Sequence, residues 1–414
     1  MIASHRFGGH VPLLVGLALT RIIGWGTTFY SPSVLVQALG PDIGLSAEIV
    51  FGGITVLLIT GALLAPAVGR QLDREGTRRS MCIGAVICAL GFVVLAIAQG
   101  PVSYLASWFV IGIGHALSLA NVGNVTVAHL MGERTRRVIG LMMLLTGLAS
   151  SVFWPLTAFL MDSYGWRATV LAFAAMQIVI VLPIYASIPR IRPSASRPDI
   201  SAAASAFERG RVSPERRRTA FWLLALAFSA SGLVSWGLPL HFIRLFQEAG
   251  LTQAEAVWIA TLGGPATIAA RAVDATLGER LPAEKVALVG LLLGPALCLV
   301  LPFVPMTVLS AGVFMVLFNA ALGVISVARA TLPLALFGSN GFAAMLGRLT
   351  VPQNVTFAVA PVLFAAMVDR LGAAETLVIA AGIQAVGFVA MFALVRMLGR
   401  QELPAAASSP RPHP

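Results

Sequence analysis

Ionisable and aromatic side chains lie inside several long apolar runs of this chain, where a charge needs a partner or a ligand. Arg21 falls ten residues into the first run, about 15 Å along a helix, and Trp25 and Thr28 follow at the spacing of one helical face. A guanidinium binds carboxylates and phosphates through a fixed fork of donors. These residues, with Tyr30 further out, are therefore a candidate anion-binding face. The alternative is a structural arginine bonded to the backbone or to another helix.

Further candidates lie in later apolar runs. Arg348, about 9 Å into its run, could bind an anion or reach toward the cytoplasmic face. His115 shares a helical face with Trp108 and could carry a proton or serve as a hydrogen-bonded structural group. The remaining polar and aromatic candidates, each of which can equally pack or hydrogen-bond between helices, are Trp154, Trp236, Asn319, Gln353 and Asn354.

The acidic residues restrict the charge of a ligand. All seventeen Asp and Glu fall in predicted loops or near predicted helix ends. A cationic solute would need a buried carboxylate as its counter-charge, and buried arginine without one favours an anionic or polar neutral solute. A coupling proton has no obvious carrier unless Glu48, Glu255 or a histidine serves.

The elements that hold these residues are membrane helices. The chain is 58% hydrophobic with mean hydropathy +0.89, and only 11% of its residues are charged, against about 25% in soluble domains. A spanning helix needs about 20 apolar residues. The sequence therefore predicts an all-α polytopic membrane protein with twelve helices: Val11–Leu39, Ala47–Val68, Met81–Ala98, Val102–Leu130, Val138–Met161, Ala168–Ser187, Ala220–Phe246, Ala254–Thr276, Val286–Val304, Thr307–Ala328, Phe342–Met367 and Thr376–Met397.

The distribution of arginine predicts the orientation. Alternate loops are rich in arginine, whereas the other loops hold only Arg167, Arg244 and Arg370. Because positive loops stay in the cytoplasm, both termini are expected there, and the net charge of +11 reflects topology rather than nucleic-acid binding. We expect a bacterial inner-membrane protein with a six-helix half over 1–187, a cytoplasmic linker over 188–219, a second six-helix half over 220–400 and a disordered tail over 401–414.

The two halves resemble each other at a constant offset of 207 residues. DSYGWRATVLAFAAMQ (162–177) aligns with DRLGAAETLVIAAGIQ (369–384), and Pro32 and Glu48 align with Pro239 and Glu255. Coincidence of rare polar positions in one frame indicates an internal repeat. Two six-helix repeats are typical of transporters that bind their solute at the repeat interface.

A charged motif lies between the second and third predicted helices. GRQLDREGTRRS, which begins at Gly69, matches the pattern G-x-x-x-D-R-x-G-R-R with Thr77 inserted. ARAVDATLGER is a degenerate second copy of this motif. Together with the twelve helices, this resembles the major facilitator superfamily. The residues that match the motif, taken as a gating set, are Gly69, Asp73, Arg74, Gly76, Arg78, Arg79, Arg271 and Asp274.

The resemblance implies a role for several motif residues. It implies that Gly69 lets the second helix approach its neighbour, and that Asp73 stabilises the outward-open state through charge contacts at a facing helix end. For Arg78 and Arg79 the resemblance implies gating contacts, while retention of positive charge in the cytoplasm is the alternative. Arg271 and Arg329, at predicted cytoplasmic helix ends, are read as interface or gate residues.

Two further family motifs are missing. In the fourth predicted helix, the sequence reads WFVIGIG at the place where the family motif R-x-x-Q-G-x-G would lie. The fifth predicted helix lacks the glycine-proline pattern of drug–proton antiporters. The sequence therefore favours a secondary transporter for a small anionic or polar organic solute, with efflux of drugs or trivalent arsenicals as the alternative.

Other functional classes lack support in the sequence. A sensor or membrane enzyme is disfavoured, because no soluble domain, nucleophile triad, metal cluster or Walker loop is apparent. The expected partners are a small solute, the lipid bilayer and either a coupling proton or a counter-solute, with no nucleic acid, cofactor or metal.

Overall fold

The computed structural model describes residues 11–131, 135–189, 211–277, 283–338 and 342–407, and these residues contain helices without strands. The helices of the first half are α1 Val11–Trp25, α2 Pro32–Ile43, α3 Ala47–Glu75, α4 Thr77–Ala96, α5 Pro101–Ser118, α6 Ala120–Met131, α7 Thr135–Thr146, α8 Ala149–Met176 and α9 Leu182–Ala186. Those of the second half are α10 Arg217–Gly237, α11 Phe242–Glu248, α12 Gln253–Thr261, α13 Gly263–Leu277, α14 Ala283–Val300, α15 Val308–Phe337, α16 Phe342–Leu371 and α17 Ala373–Ala407.

The described residues include eleven stretches long and apolar enough to span a membrane. The longest, Val138–Ala186, has 49 residues and would measure about 73 Å as one helix, more than twice the hydrocarbon core. It turns at Gly165, whose φ of 78° and ψ of 166° are not helical. The stretch therefore crosses twice, and the twelve predicted crossings are confirmed.

The crossings are numbered in chain order. In the first half they are α1 and α2 with the π-helical turn between them, α3, α4, α5 with α6, α7 with α8 up to Gly165, and the rest of α8 with α9. In the second half they are α10 with α11, α12 with α13, α14, α15, α16 and α17. Many outward-facing side chains are apolar, as a bilayer requires: Leu63, Val102, Val179 and Leu309 are examples.

The bundle has two chemically distinct ends. The arginine-rich end, where the first crossing begins, carries Arg70, Arg78, Arg79, Arg216, Arg217 and Lys285. The far end, where the first crossing finishes, carries Asp42, Glu48, Glu248 and Arg370.

One ion pair at the far end ties together the crossings of each half. In the first half, Asp42 at the end of the first crossing pairs with Arg167, just after the turn at Gly165. In the second half, Arg244 near the end of the seventh crossing pairs with Asp369, just before the turn into the twelfth. The two pairs join corresponding crossings of each half, but they do not use aligned positions, because Arg167 aligns with Ala374 and Asp369 with Asp162 at the offset of 207.

The predicted boundaries need two corrections. Val212 is buried in the second half and donates its backbone N–H to Leu336, while Arg211 pairs with Glu284 at 2.7 Å. Residues 211–213 therefore pack against the second half instead of belonging to a free linker over 188–219. At the other end, α17 continues to Ala407, through half of the tail predicted at 401–414.

The two halves meet closely toward the far end. Gln37 donates to Gln247 at 2.6 Å, and Arg370 donates to Glu48 at 2.8 Å. Nearer the middle, hydroxyls bond to backbone carbonyls across the interface, Thr55 to Ala358 at 2.6 Å and Ser151 to Thr261 at 2.5 Å. Toward the arginine-rich end, the described hydrogen bond between the halves joins Arg271 to the Met143 carbonyl at 3.0 Å. The far end is thus the closed end.

Candidate functional site

A continuous set of ring contacts joins the two halves in the middle of the bundle. Trp25 contacts His115 at 5.4 Å and Trp236 at 5.9 Å between ring centroids, both edge-on. Phe29 contacts Trp236 at 5.2 Å, and Trp236 stacks on Phe357 at 4.7 Å. We call these five residues the aromatic bridge. It connects the first, fourth, seventh and eleventh crossings, so relative motion of the halves must rearrange it.

A π-helical turn, Gly26–Tyr30, positions the first-half side of the bridge. Such turns add a residue to a helix and change which side chains share a face. A Cβ at Gly26 would lie 2.1 Å from the Phe153 ring, so only glycine fits this close approach. Thr28 is buried and donates its hydroxyl to the Gly24 carbonyl at 2.7 Å, and Phe29 rather than Thr28 contacts Trp236 beside Trp25. A role for Thr28 in solute binding stays a prediction.

The second-half side of the bridge depends on another glycine. Phe228, Gly232 and Trp236 follow one another every four residues along one face of the seventh crossing. A Cβ on Gly232 would lie 2.2 Å from Cε1 of Phe357. The missing side chain therefore gives the Phe357 ring room to lie on the helix and stack on Trp236.

Tyr30 and Trp154 extend the aromatic contacts within the first half. Their ring centroids lie 5.4 Å apart, and the Trp154 indole N–H donates to the Tyr30 carbonyl at 3.2 Å. His115 is buried, and its Nε2 has no hydrogen-bond partner among the described residues. The structure thus brings together five predicted residues, namely Trp25, Tyr30, His115, Trp154 and Trp236.

Arg21 has its described contacts within the first half. Only 7% of it is exposed, its NH1 lies 4.0 Å from the Met142 sulfur, and it interacts electrostatically with Tyr185. Both partners belong to the fifth and sixth crossings of the same half. These contacts favour the alternative of an arginine held by neighbouring helices, and a place for Arg21 in the solute site stays a prediction.

The other three predicted residues do not belong to the aromatic bridge. Asn319 donates to the Met315 carbonyl at 2.9 Å, and buried Gln353 donates to the Leu349 carbonyl at 3.1 Å, so both bond within their own helix. Arg348 is exposed and, with Arg218, lines a groove of about 760 Å³ at the arginine-rich end. The sequence left two placements open for Arg348, and the structure places it toward the end of the bundle.

The loop motif is resolved in part, because the side chains of Asp73 and Arg74 lie outside the described residues. Gly76 has a φ of 74° and ends α3, which explains glycine at this turn. Gly69 is exposed, and no described atom lies within 4 Å of a Cβ built there, so close helix approach does not account for it. Arg79 forms an exposed pair with Glu75 at 3.2 Å.

The second copy of the motif contacts the other half. Arg271 donates to Ser326 Oγ and to the Met143 carbonyl, both at 3.0 Å, and thereby joins the eighth and tenth crossings to the fifth. Asp274 is half-buried three residues before α13 ends. The predicted interface position of Arg271 agrees with these contacts.

The described carboxylates lie near helix ends, as predicted. Glu48 pairs with Arg370, and Glu255 accepts from the Thr252 N–H at 2.9 Å as a helix cap. Hydrogen bonds from Trp166 and Arg167 lower the pKa of Asp42 below its ordinary value. None of these three acids enters the middle of the bundle, so neither proton-carrier glutamate considered from the sequence lies there.

Two groups that the sequence does not single out as binding residues lie close to the aromatic rings in the middle of the bundle. His241 is fully buried in the seventh crossing, 4.1 Å from the Phe51 ring of the other half, and its Nε2 lies 3.2 Å from the Pro361 carbonyl. Arg329 of the tenth crossing lies over the rings of Phe357 and Phe228. The spacing of Phe228, Gly232 and Trp236 is the sequence signal that could have indicated this face.

Comparisons with known proteins agree with this architecture. Monocarboxylate transporter 11 of Homo sapiens is 27% identical over 205 residues, which is 47% of this chain and 40% of that protein. The chloramphenicol resistance protein CraA of Acinetobacter baumannii is 26% identical over 231 residues, 56% of this chain and 54% of that protein. The chain thus spans about half the length of the curated relatives it matches.

Solved structures resemble the fold over nearly its whole length. A bacterial homologue of the human lysosomal transporter Spinster, in an inward-facing and occupied conformation, superposes with a TM-score of 0.71, covers 92% of this chain and 96% of its own, and is 14% identical. The peptide transporter POT in complex with sulfate gives 0.73, with 94% and 95% covered at 15% identity. The family model described as Major Facilitator Superfamily matches residues 13–351 of this chain. The chain therefore belongs to the Major Facilitator Superfamily.

Proposed function

We propose that this protein is a secondary transporter that moves a small anionic or polar organic solute across the bacterial inner membrane. One observation supports an anionic or polar solute. Arginines and histidines lie within the described crossings, while the described carboxylates lie near helix ends. A site with buried positive charge and no carboxylate favours an anion over a cation. The similarity to a protein named as a monocarboxylate transporter supports the same class.

The transport cycle is alternating access by rocking of the two halves. Contacts between the halves at Gln37–Gln247 and Glu48–Arg370 close the far end in this conformation. Opening the far end requires these contacts to break and the aromatic bridge to rearrange. Because arginine-rich loops remain in the cytoplasm, the arginine-rich end is assigned to that side, with both termini there. The closed far end then faces outward.

Coupling to a proton or to a counter-solute is part of this proposal. The buried histidines His115 and His241 are its candidate proton carriers, since Glu48 and Glu255 are held at helix ends. The motif residues Asp73, Arg74 and Arg78 keep their proposed gating roles. The protein moves its solute across the membrane and does not convert it chemically.

Efflux is the second candidate function. The similarity to a protein named for chloramphenicol resistance supports it. The three free cysteines argue against trivalent arsenicals, because Cys88 and Cys298 are buried in different halves.

Vesicle transport distinguishes the two functions. Right-side-out and everted vesicles are prepared from cells with and without the protein, and both are tested with radiolabelled benzoate, lactate, chloramphenicol and arsenite. Uptake of a carboxylate into right-side-out vesicles is expected. Chloramphenicol or arsenite accumulation in everted vesicles alone would favour efflux. Identical fluxes for every compound with and without the protein would contradict both.

A further inference from the structure

Arg329 lies well inside the second half, without a polar partner among the described residues. It precedes the end of α15 by eight residues, about 12 Å along the helix, and its side chain is half-buried. Its Nε is buried and has no described hydrogen-bond acceptor, and no ion pair joins it to a described residue. The contacts recorded for it are with two aromatic rings, at 5.1 Å from the Phe357 centroid and 5.8 Å from the Phe228 centroid.

Two other arginines inside the described crossings have different surroundings. Arg271 donates to a serine hydroxyl and to a backbone carbonyl. Arg21 contacts Met142 and Tyr185 within its own half. Both are occupied by protein groups, whereas the guanidinium of Arg329 retains its donors for another acceptor.

The rings beside Arg329 stabilise its charge only in part. A cation over a ring face is attracted by the ring quadrupole, but a ring supplies no lone pair to the N–H groups. An unpaired charge inside a membrane protein is costly and marks a ligand site by default. A bound carboxylate would satisfy two donors at once through parallel hydrogen bonds. With one cation at this position, a single negative charge balances the site.

The position of Arg329 connects it to the inter-half contact. Phe357 lies between Arg329 and Trp236, and Trp236 contacts Trp25 of the first half. A planar group placed against Phe357 and Trp236 would therefore contact the same bridge that must rearrange during the cycle. The two rings stack on each other and are each half-buried, so the uncovered parts of the rings are the apolar surface that would suit aromatic or conjugated carbon.

We propose that Arg329 binds the anionic group of the cargo, and that Trp236 and Phe357 contact a planar part joined to it. The ligand class is a planar organic monocarboxylate, aromatic or conjugated. This proposal rests on the proposed transport function for its biological role. The proposed anion site is Arg329 on the tenth crossing, whereas the sequence indicated Arg21 on the first crossing.

Binding to the full chain in lipid nanodiscs tests the assignment. Calorimetry is performed with benzoate, cinnamate and indole-3-carboxylate. The uncharged amides benzamide and cinnamamide match their shape, and cyclohexanecarboxylate matches the charge without the flat ring. The variants are Arg329→Met, Arg329→Lys and the control Arg396→Met. Arg396 also lies over a ring, 5.0 Å from the Phe392 centroid, but on the exposed side of the twelfth crossing.

The wild type is expected to bind at least one planar carboxylate about tenfold or more tightly than its amide, as a charge-assisted hydrogen bond implies. Arg329→Met should lower that carboxylate's affinity by a similar factor and leave amide affinity unchanged. Arg329→Lys should retain part of the preference, and Arg396→Met all of it. Failure of every planar carboxylate to bind the wild type, or undiminished carboxylate affinity in a monodisperse Arg329→Met protein, would overturn the proposal.

Flux through proteoliposomes separates this proposal from the transport function. If an anion is carried and Arg329→Met carries it with unchanged KM, the Arg329 site is wrong while the transport function stands. If planar carboxylates bind through Arg329 but neither flux nor exchange occurs, the site stands and the transport function is wrong.

Discussion

The Phe357 ring lies parallel to the indole of Trp236, with planes 10° apart and centroids 4.7 Å apart, although the two residues come from different crossings of the second half. Gly232 makes this stack possible, because Phe357 occupies the space where its side chain would be. The pair forms the second-half wall of the aromatic bridge. Its geometry is therefore sensitive to small changes on the seventh crossing.

Adding one methyl group should test the stack. In Gly232→Ala the new Cβ would lie 2.2 Å from Phe357, so the ring must move. We expect the melting temperature to fall, consistent with about 1–3 kcal/mol for overpacking, and solute KM to rise. Gly382→Ala is the control, since no described atom lies within 4 Å of its Cβ and helix propensity favours alanine. Equal melting temperatures for the two variants would argue against a tight stack.

A covalent link across the far end should stop the cycle. Gln37 and Gln247 contact each other across the halves, so a short cleavable thiol cross-linker in the double variant Gln37→Cys/Gln247→Cys should hold the far end closed. We expect vesicle transport to be lost and then restored by a reductant that cleaves the linker. The control applies the same linker to Asp42→Cys/Arg167→Cys, two positions that meet within the first half. Full transport in the linked 37–247 protein would contradict rocking of the halves.

Arg21 and Arg329 should respond differently to loss of charge. Arg21→Met removes contacts inside the first half, so we expect lower thermal stability, by about 1–3 kcal/mol for a buried polar group, with solute KM unchanged. Arg329→Met should raise KM for an anionic solute with little loss of stability. Both quantities are measured on the same purified protein. A raised KM in Arg21→Met at wild-type stability would restore Arg21 as the anion site.

The far-end pair of the first half should make stability depend on acid pH. Hydrogen bonds from Trp166 and Arg167 lower the pKa of Asp42, so the ionised carboxylate stabilises the folded state above its ordinary pKa of about 3.9. That contribution is lost as the pH falls below this value through the lower folded pKa. Melting curves of the wild type should therefore fall more steeply with acid than those of Asp42→Asn. Parallel curves would show that the pair contributes nothing.

The sequence predicts the number of crossings well, because a bilayer requires about 20 apolar residues in each and the apolar runs are long. Their limits are predicted less well: the helix expected to end at Ala328 continues to Phe337, which places Arg329 inside it and not at its end. It also indicates Trp25, His115, Trp154 and Trp236 as central residues, since tryptophan and histidine are rare in the chain, but it does not indicate Phe29 or Phe357. Neither prediction needs knowledge of how the helices rotate about their axes.

The sequence could not predict how each helix is rotated about its own axis. A π-helical turn follows Trp25 at Gly26–Tyr30, and there Phe29 rather than the expected Thr28 joins Trp25 in the bridge. Arg21 is turned toward Met142, which lies 121 residues away in the chain. Likewise, the place of Arg329 is defined by Phe357 from another crossing. Such contacts depend on packing between distant segments and leave no local pattern.

The ion pair between Asp42 and Arg167 bears on how the chain assembles. During synthesis, two similar six-helix units emerge in succession, and helices of one could pack with the wrong unit. If the first crossing met the turn of the second half, Asp42 would lose its partner, because Ala374 aligns with Arg167 at the offset of 207 residues. The pair therefore forms when the first crossing packs with its own half, and it favours correct sorting of that crossing as the two repeats fold.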